Sequence, residues 1–349
     1  MTPTFCVAAL AALLFATIPA GAQTPVGVAD LHIADAARPL TGLIWYPARP
    51  GGVASLVGDN PLFVGTRAFN GATPVDDLVP LVMLSPGFGG NARNQNWLAE
   101  ALAARGMIVV AVNHPGSTTG DVRGSEAVKI WTRPADITRA ITFLEADAAF
   151  AKRIDASRIA VIGHSFGGHT ALALAGARVE RDRMIEYCDH QANEGCKNFL
   201  GATLPSVTYT AFNASTLDHR VGAVVAMAPG FTPAMTRESL SSVAAPVMII
   251  AAEHDDQVLV AHVRRVVDLL PRPETTYMEL PGAGHFDFLP TCKPGGAALL
   301  RAEHDDPICD GAPDRDALHA EVVSRVVAFL NEAWRTSRAV RSATAASSP

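Results

Sequence analysis

Short apolar runs alternate with longer amphipathic segments along most of the chain. Apolar runs of this length, bounded by turn residues, are typical of buried strands. They occur at 40–45, 81–84, 107–112, 158–162, 221–227, 247–251 and 275–280. Between them, apolar side chains at helical spacing and small-residue segments predict helices at 96–105, 134–150, 167–177, 256–270 and 316–334.

Strands and helices in alternation predict an α/β fold, with a mostly parallel central sheet covered by helices on both faces. No linker divides the pattern, so residues 23–337 are expected to form one domain. Two stretches break the rhythm. Residues 178–220 are polar and irregular and are predicted to form a small cap insertion, and residues 290–313 are predicted to form a loop insertion. The small-residue tail, 338–349, is expected to be disordered.

The N-terminus has a different pattern. Residues 5–19 are almost all apolar, and Ala20-Gly21-Ala22 fits a small-residue cleavage site. This arrangement predicts a signal peptide over residues 1–22, and therefore export to the periplasm or the medium. The alternative is a membrane anchor, but the run is shorter than the roughly 20 residues that a spanning helix needs.

Removing the signal peptide leaves four cysteines, at 188, 196, 292 and 309. An even number in an exported protein suggests disulfides. Four cysteines allow three pairings, and local pairing of Cys188 with Cys196 and of Cys292 with Cys309 is the simplest. Free thiols or a zinc site are the alternatives, but no CxxC occurs and the spacings do not suit structural zinc.

Composition narrows the function classes. With 49% hydrophobic and 18% charged residues, the 349-residue chain is too apolar to be disordered. The net charge of −6 and the lack of any block of like charges argue against a nucleic-acid partner.

The strongest chemical signal is Gly163-His164-Ser165-Phe166-Gly167, directly after a predicted strand and directly before a predicted helix. In that context G-x-S-x-G predicts a sharp turn that exposes a nucleophilic serine, here Ser165. The glycines are required because a Cβ would collide across the turn. His164 and His169 flank the serine and are expected to be packing or supporting residues.

A serine nucleophile needs a base, and the base needs an orienting acid. The strand 247–251 leads into Glu253-His254-Asp255-Asp256, and Asp255 fits the expected turn best, with Asp256 as the alternative. The last strand leads into a glycine-rich turn that carries His285, the predicted base. Asp287 is expected to be a loop or capping residue.

The oxyanion of an acyl-transfer intermediate needs preorganised N–H donors. The predicted donors are the backbone amides of Phe166, which follows the serine, and of Phe88, in the loop Ser85-Pro86-Gly87-Phe88-Gly89-Gly90. No P-loop, dinucleotide loop or HExxH motif occurs, so neither a cofactor nor a metal is expected.

These residues resemble the α/β-hydrolase superfamily over about residues 40–335. Within it the chain is similar to the bacterial predicted dienelactone hydrolases, which are related to platelet-activating-factor acetylhydrolases. The stretches that carry this similarity are LIWYPA (43–48), SPGFGG (85–90), VNHPGST (112–118), WTRPADI (131–137) and the serine motif. The resemblance implies an α/β-hydrolase fold and a metal-independent ester hydrolase that forms an acyl-enzyme.

Two differences separate this chain from the families that it resembles. The acetylhydrolases carry His-Gly where this chain has Pro86-Gly87, and true dienelactone hydrolases use a cysteine in place of Ser165. The Ser-Pro-Gly-Phe loop also looks like that of bacterial cutinases and polyester hydrolases. Phe166 and the 178–220 insertion argue against a wide-open polymer cleft.

The sequence therefore predicts an exported serine hydrolase that cleaves a small-molecule or lipid-like carboxylic ester. One alternative is a polyester or cutin-type depolymerase. The other is a catalytically inactive binding protein on a hydrolase fold, against which an intact Ser165, Asp255 and His285 in the expected order speaks.

Overall fold

A computed structural model describes residues 24–190, 196 and 204–346; the predicted signal peptide, 1–22, lies outside them. The described strands, β1 to β12 in chain order, are Val26–Ile33, Leu40–Pro47, Val53–Val57, Thr66–Asn70, Val79–Ser85, Ile108–Asn113, Ser117–Thr118, Asp121–Val122, Ile154–His164, Val221–Met227, Val247–Ala252 and Thr275–Leu280.

Ten of these strands form one sheet in the order β12-β11-β10-β9-β5-β6-β2-β1-β4-β3, while β7 and β8 make a separate small hairpin. The six strands from β12 to β6 run parallel to one another, whereas β2 pairs antiparallel with both β6 and β1. The mostly parallel sheet predicted from the sequence is thus confirmed, and each of the seven predicted strands lies in it.

Helices cover both faces of the sheet, as predicted. The described α-helices, α1 to α10 in chain order, are Asn96–Ala103, Gly124–Ala127, Thr132–Ala146, Phe166–Leu174, Arg181–His190, Tyr209–Phe212, Arg237–Ser241, Val260–Leu269, Gly296–Glu303 and Arg315–Ala346. Alternate residues of β5 enter opposite cores: Leu81 and Met83 belong to a cluster that includes residues of α3, α4 and α8, while Val82 and Leu84 belong to one that includes residues of α1 and α10. A strand buried on both faces must be apolar throughout, which is the pattern seen in the sequence.

Both insertions contain more regular structure than the sequence predicted. Helix α5, Arg181–His190, lies in the stretch predicted to be irregular, and α9, Gly296–Glu303, lies in the second insertion. Met184 is the only buried residue of α5, so the helix has almost no apolar periodicity to read. The predicted disulfides are confirmed: Cys188 pairs with Cys196, and Cys292 pairs with Cys309.

The C-terminal segment also differs from the prediction. Helix α10 runs from Arg315 to Ala346, past the expected end at residue 334 and into the tail expected to be disordered. No glycine or proline interrupts the sequence from 314 to 348, and alanine favours the helix. None of the described helices is both long and apolar enough to cross a membrane.

Candidate active site

Ser165 lies in a strained turn between β9 and α4. Its backbone has φ 55° and ψ −117°, a conformation that residues other than glycine rarely adopt. The two flanking glycines allow the turn to close. A Cβ on Gly163 would lie 1.9 Å from the carbonyl oxygen of Gly167, and a Cβ on Gly167 would lie 1.8 Å from that of Ser85. The collision across the turn that the motif predicts is therefore present at Gly163, whereas at Gly167 the collision is with the end of the neighbouring strand β5.

The structure brings the three predicted residues together in one hydrogen-bonded chain. His285 Nε2 lies 3.0 Å from Ser165 Oγ, and His285 Nδ1 lies 2.8 Å from Asp255 Oδ2. A carboxylate can only accept, so the hydrogen belongs on Nδ1, and Nε2 is left to accept from the serine hydroxyl. His285 and Asp255 are buried while Ser165 is partly exposed. The arrangement can therefore take a proton from a hydroxyl that substrate can reach.

The choice between the two neighbouring acids is clear from their contacts. Oδ1 of Asp255 also accepts from the backbone N–H groups of Gln257 and Val258, at 2.9 and 2.6 Å, which fixes the carboxylate toward His285. Asp256 is exposed, and its Oδ1 accepts from the side chain of Gln257. It makes no contact with the base.

His164 and His169 are buried supports, as expected. Nε2 of His164 donates to the carbonyl oxygen of His285 at 3.0 Å, which ties the serine turn to the base turn. Burial, followed by the charge of His285, holds the pKa of His164 well below its ordinary value. Burial lowers the pKa of His169 to about 3, and its ring packs against Phe166 and Phe231. Both rings are therefore neutral at neutral pH.

The two residues predicted to supply oxyanion donors both line the cavity in front of Ser165. Phe166 is the first residue of α4, so its N–H lies outside the helix's own hydrogen-bond ladder. The loop of Phe88 passes beside the serine, since a Cβ on Gly87 would lie 3.5 Å from Ser165 Cβ. In the same loop the amides of Gly89 and Gly90 are engaged with the carbonyls of Ser117 and Gly87.

The cavity has a volume of about 680 Å³ and is lined by apolar and aromatic side chains together with nearly as many polar or charged ones. Both insertions contribute to its wall: Met184, Tyr187 and Cys196 come from the cap, and Asp305 and Ile308 from the second insertion. Regions outside the serine motif therefore shape the space that a substrate must occupy.

Sequence reasoning missed two buried networks around the site. In the first, Arg133 and His114 lie beneath the loop of Phe88. In the second, Asp287 caps the turn at Gly284, as expected of a loop or capping residue, but it is also fully buried and pairs with Arg315 at 2.9 Å. The members of each network are far apart in the chain, so no sequence spacing reveals the contacts between them. Ser85, His114 and Arg133 do lie in the SPGFGG, VNHPGST and WTRPADI stretches that carry the family resemblance, and this is the one signal that could have pointed to the first network. Among the described residues no cluster of histidine, cysteine or carboxylate groups could hold a metal ion.

Comparison with known proteins finds similarity to a hydrolase family model and to cutinases. The family model described as "PETase: PET hydrolase-like" matches residues 63–221. Cutinase est2 of Thermobifida alba is 29% identical over 209 residues, which cover 59% of this chain and 52% of the cutinase. Cutinase 2 of Thermobifida cellulosilytica is 28% identical over 59% of this chain and 60% of its own. The chain thus spans about half to three fifths of these relatives.

Two further similarities extend this set. A bis(hydroxyethyl) terephthalate hydrolase of Streptomyces coelicolor is 28% identical over 116 residues, covering 33% of this chain and 34% of that protein. The solved structure of a ferulic acid esterase from Streptomyces cinnamoneus superposes with a TM-score of 0.60 at 21% identity, covering 89% of this chain and 91% of the other. The predicted α/β-hydrolase fold is thereby confirmed over nearly the whole chain.

Proposed function

We propose that this protein is a serine hydrolase that cleaves carboxylic esters through Ser165, His285 and Asp255. The observation that carries the proposal is the continuous hydrogen-bonded chain from Asp255 through His285 to Ser165, on a strained turn that faces a cavity of about 680 Å³. Its similarity to proteins named as cutinases and as a terephthalate ester hydrolase supports the same chemistry.

The reaction proceeds in two halves. His285 Nε2 takes the proton of the Ser165 hydroxyl as Oγ attacks the ester carbonyl carbon, and Asp255 stabilises the charged imidazole. The tetrahedral intermediate collapses when the bond to the alcohol oxygen breaks and His285 returns the proton to that oxygen. Water, deprotonated by His285, then attacks the acyl carbon, the bond from that carbon to Ser165 Oγ breaks, and His285 returns the proton to Oγ as the acid leaves. Backbone amides of Phe88 and Phe166 stabilise the oxyanion in both halves.

A fluorophosphonate probe tests the proposed nucleophile. The wild type should be labelled and should hydrolyse p-nitrophenyl acyl esters, whereas Ser165→Ala should lose both activities. Ser157→Ala is a matched control, because this exposed serine lies in the same strand, away from the site. Labelling or turnover retained in Ser165→Ala would exclude Ser165 as the nucleophile. Absence of turnover of every p-nitrophenyl ester by the wild type would favour the inactive binding protein.

Export is part of the proposal. Two disulfides favour an oxidising compartment over the cytosol, where disulfides are rare. Together with the predicted signal peptide over residues 1–22 this supports a periplasmic or secreted enzyme. N-terminal sequencing of the protein recovered outside the cytoplasm should begin at residue 23; an intact N-terminus in the membrane fraction would indicate an anchor.

A soluble or lipid-like ester is the favoured substrate, and a polyester or cutin-type polymer is the second candidate. The names of the relatives favour the polymer, whereas cap residues such as Met184 and Tyr187 in the cavity wall favour a molecule that can enter beneath them. Hydrolysis of a soluble acyl-ester series should therefore exceed the release of soluble acids from polymer film by the same enzyme. Faster release of acids from polymer film would make the polymer the favoured substrate.

A further inference from the structure

A second Ser–His–Asp arrangement lies buried beneath the loop that carries Phe88. Ser85 Oγ is 3.0 Å from His114 Nε2, and His114 Nδ1 is 3.0 Å from Asp136 Oδ2. All three residues have no exposed surface, so no substrate reaches them. Burial, then the charge of Arg133, lowers the pKa of His114 to about 4, so its ring is neutral at neutral pH. This arrangement is therefore not a second hydrolytic site.

The hydrogen bonds of this buried Ser–His–Asp arrangement form a chain that starts at Arg133. Asp136 only accepts, so His114 donates from Nδ1 and accepts at Nε2 from the Ser85 hydroxyl. The Ser85 oxygen in turn accepts from Nη2 of Arg133 at 3.4 Å. Every group in the chain thus has a fixed orientation, and the chain begins at a guanidinium that is 1% exposed.

Arg133 contacts the loop that carries one predicted oxyanion donor and the side chain of the residue that carries the other. Its Nη2 donates to the carbonyl oxygen of Pro86, two residues before Phe88, and its Nη1 donates to Ser117 Oγ at 3.0 Å. The guanidinium carbon also lies 4.3 Å from the centre of the Phe166 ring, in a cation–π contact. One side chain therefore supports the loop of the first donor and the residue of the second.

The charge of Arg133 lacks a direct counter-ion. It forms no ion pair with any described carboxylate, since its hydrogen-bond acceptors are a carbonyl and two hydroxyls. The carboxylate of Asp136 is already paired with Arg38, through two contacts of 2.7 Å. Burial lowers the pKa of Arg133 to about 9, which still leaves it cationic at neutral pH. A buried unpaired cation is costly, and a developing oxyanion is the charge that would offset it.

We propose that Arg133 is a positioning residue for ester hydrolysis: it holds the Pro86–Phe88 loop and Phe166 in place and keeps a positive charge beneath the oxyanion. This inference rests on the function proposed above. The positive charge acts most strongly once the carbonyl oxygen becomes negative, so it stabilises the transition state more than bound substrate. Loss of Arg133 should therefore lower kcat far more than it raises KM.

Two substitutions separate the shape of the side chain from its charge. Arg133→Lys keeps the positive charge but loses the planar guanidinium that donates to several acceptors at once. Arg133→Gln loses the charge. We expect kcat on a soluble p-nitrophenyl ester to fall about tenfold in the first and about 10²-fold in the second, the latter at the lower end of the range for loss of one oxyanion donor. A trifluoromethyl ketone, which binds as an oxyanion adduct of Ser165, should weaken by the same factors. KM and binding of the matching secondary alcohol should change less than about threefold.

Controls make the result decisive. Arg220→Lys changes a partly buried arginine that is paired with Asp218 and Glu145 away from the site, and it should leave kcat within about twofold. If the Arg133 variants do not fold, as judged by circular dichroism, Ser117→Ala removes a single acceptor of the guanidinium and should lower kcat severalfold.

Folded variants with wild-type kcat and ketone affinity would overturn the inference alone. Equal weakening of the ketone and the alcohol would also overturn it, because it would indicate a distorted pocket. If the wild type binds neither fluorophosphonate nor ketone at Ser165, the proposed function fails and this inference falls with it.

Discussion

Asp255 and Asp256 are adjacent in the chain and differ in every contact that their side chains make. Asp255 is buried against His285 and accepts from the backbone N–H groups of Gln257 and Val258. Asp256 is exposed and accepts from the side-chain amide of Gln257. A displacement of one residue thus separates a carboxylate that can orient the base from one that cannot. The pair offers an internal control for the proposed mechanism.

Asp255→Asn should lower kcat by about 10³- to 10⁴-fold, because an amide can donate to Nδ1 and stabilise the wrong imidazole tautomer. Asp256→Asn should leave kcat within about twofold, as expected of an exposed position outside the site. Steady-state kinetics on one p-nitrophenyl ester, with both variants checked for thermal stability, provides the comparison. Equal losses in the two variants would mean that the acid has been misassigned.

The residues predicted correctly to lie together share one property: each follows the end of a predicted strand. Ser165, Asp255 and His285 could be located because parallel strands deliver their carboxyl ends to one edge of the sheet. Arg133 and Asp287 carry no such marker. Arg133 reaches Pro86 across 47 residues of sequence and Arg315 reaches Asp287 across 28, so only the folded packing shows what they contact.

At the scale of elements, the second insertion is fastened directly to the turn that carries His285. Oδ2 of Asp287 accepts from the amides of Gly284 and Ala312, at 2.8 and 2.9 Å, and Oδ1 accepts from Arg315. The amide of Ala312 belongs to the insertion and the amide of Gly284 to the base turn. One buried carboxylate therefore holds the cavity wall and the catalytic base in register.

Gly311→Ala should break this connection. A Cβ there would lie 2.0 Å from Oδ1 of Asp287, so the insertion must move away and lose its hydrogen bonds to that carboxylate. We expect a loss of about 2–3 kcal/mol in the free energy of unfolding, the range for buried bonds to a charged group. Activity should fall at least about tenfold through displacement of His285.

Gly222→Ala is the control for this substitution, because its Cβ would lie at an ordinary 3.6 Å from the carbonyl oxygen of Ile159. Denaturant titration and kcat should both separate the two variants. A Gly311→Ala protein with wild-type stability and activity would show that the connection does not hold the base.

Elements buried on both faces were predictable from sequence, and elements at the margin were not. The strands β5 and β10 are continuous apolar runs, but β3 and β4 lie at the edge of the sheet with most residues exposed or half-buried, so their apolar signal is weak. Helix α8 begins at Val260 rather than at 256, because the Asp255 carboxylate holds the following residues in a turn. Tertiary contacts set these boundaries.

For the molecule as a whole, buried histidines link stability to pH. Burial is the main cause that lowers the pKa of His114 and His319 to about 4 and that of His169 to about 3. Each is neutral in the folded state at pH 5 to 6, whereas in the unfolded chain each regains an ordinary pKa near 6.5 and is largely protonated at pH 5. The unfolded state therefore binds more protons in this window and is favoured as pH falls.

The stability contributed by these groups is complete above about pH 6.5 and is lost as pH falls toward their folded pKa values. Denaturant titrations between pH 6.5 and 5 should give an unfolding free energy that decreases by up to about 1.4 kcal/mol per pH unit for each such histidine. His319→Gln removes one titrating group, so its slope should be shallower by up to that amount near pH 5. Ser157→Ala, at an exposed side chain that does not titrate, should keep the wild-type slope. A flat wild-type profile, or parallel profiles for all three proteins, would contradict the assignment of neutral buried rings to the folded state.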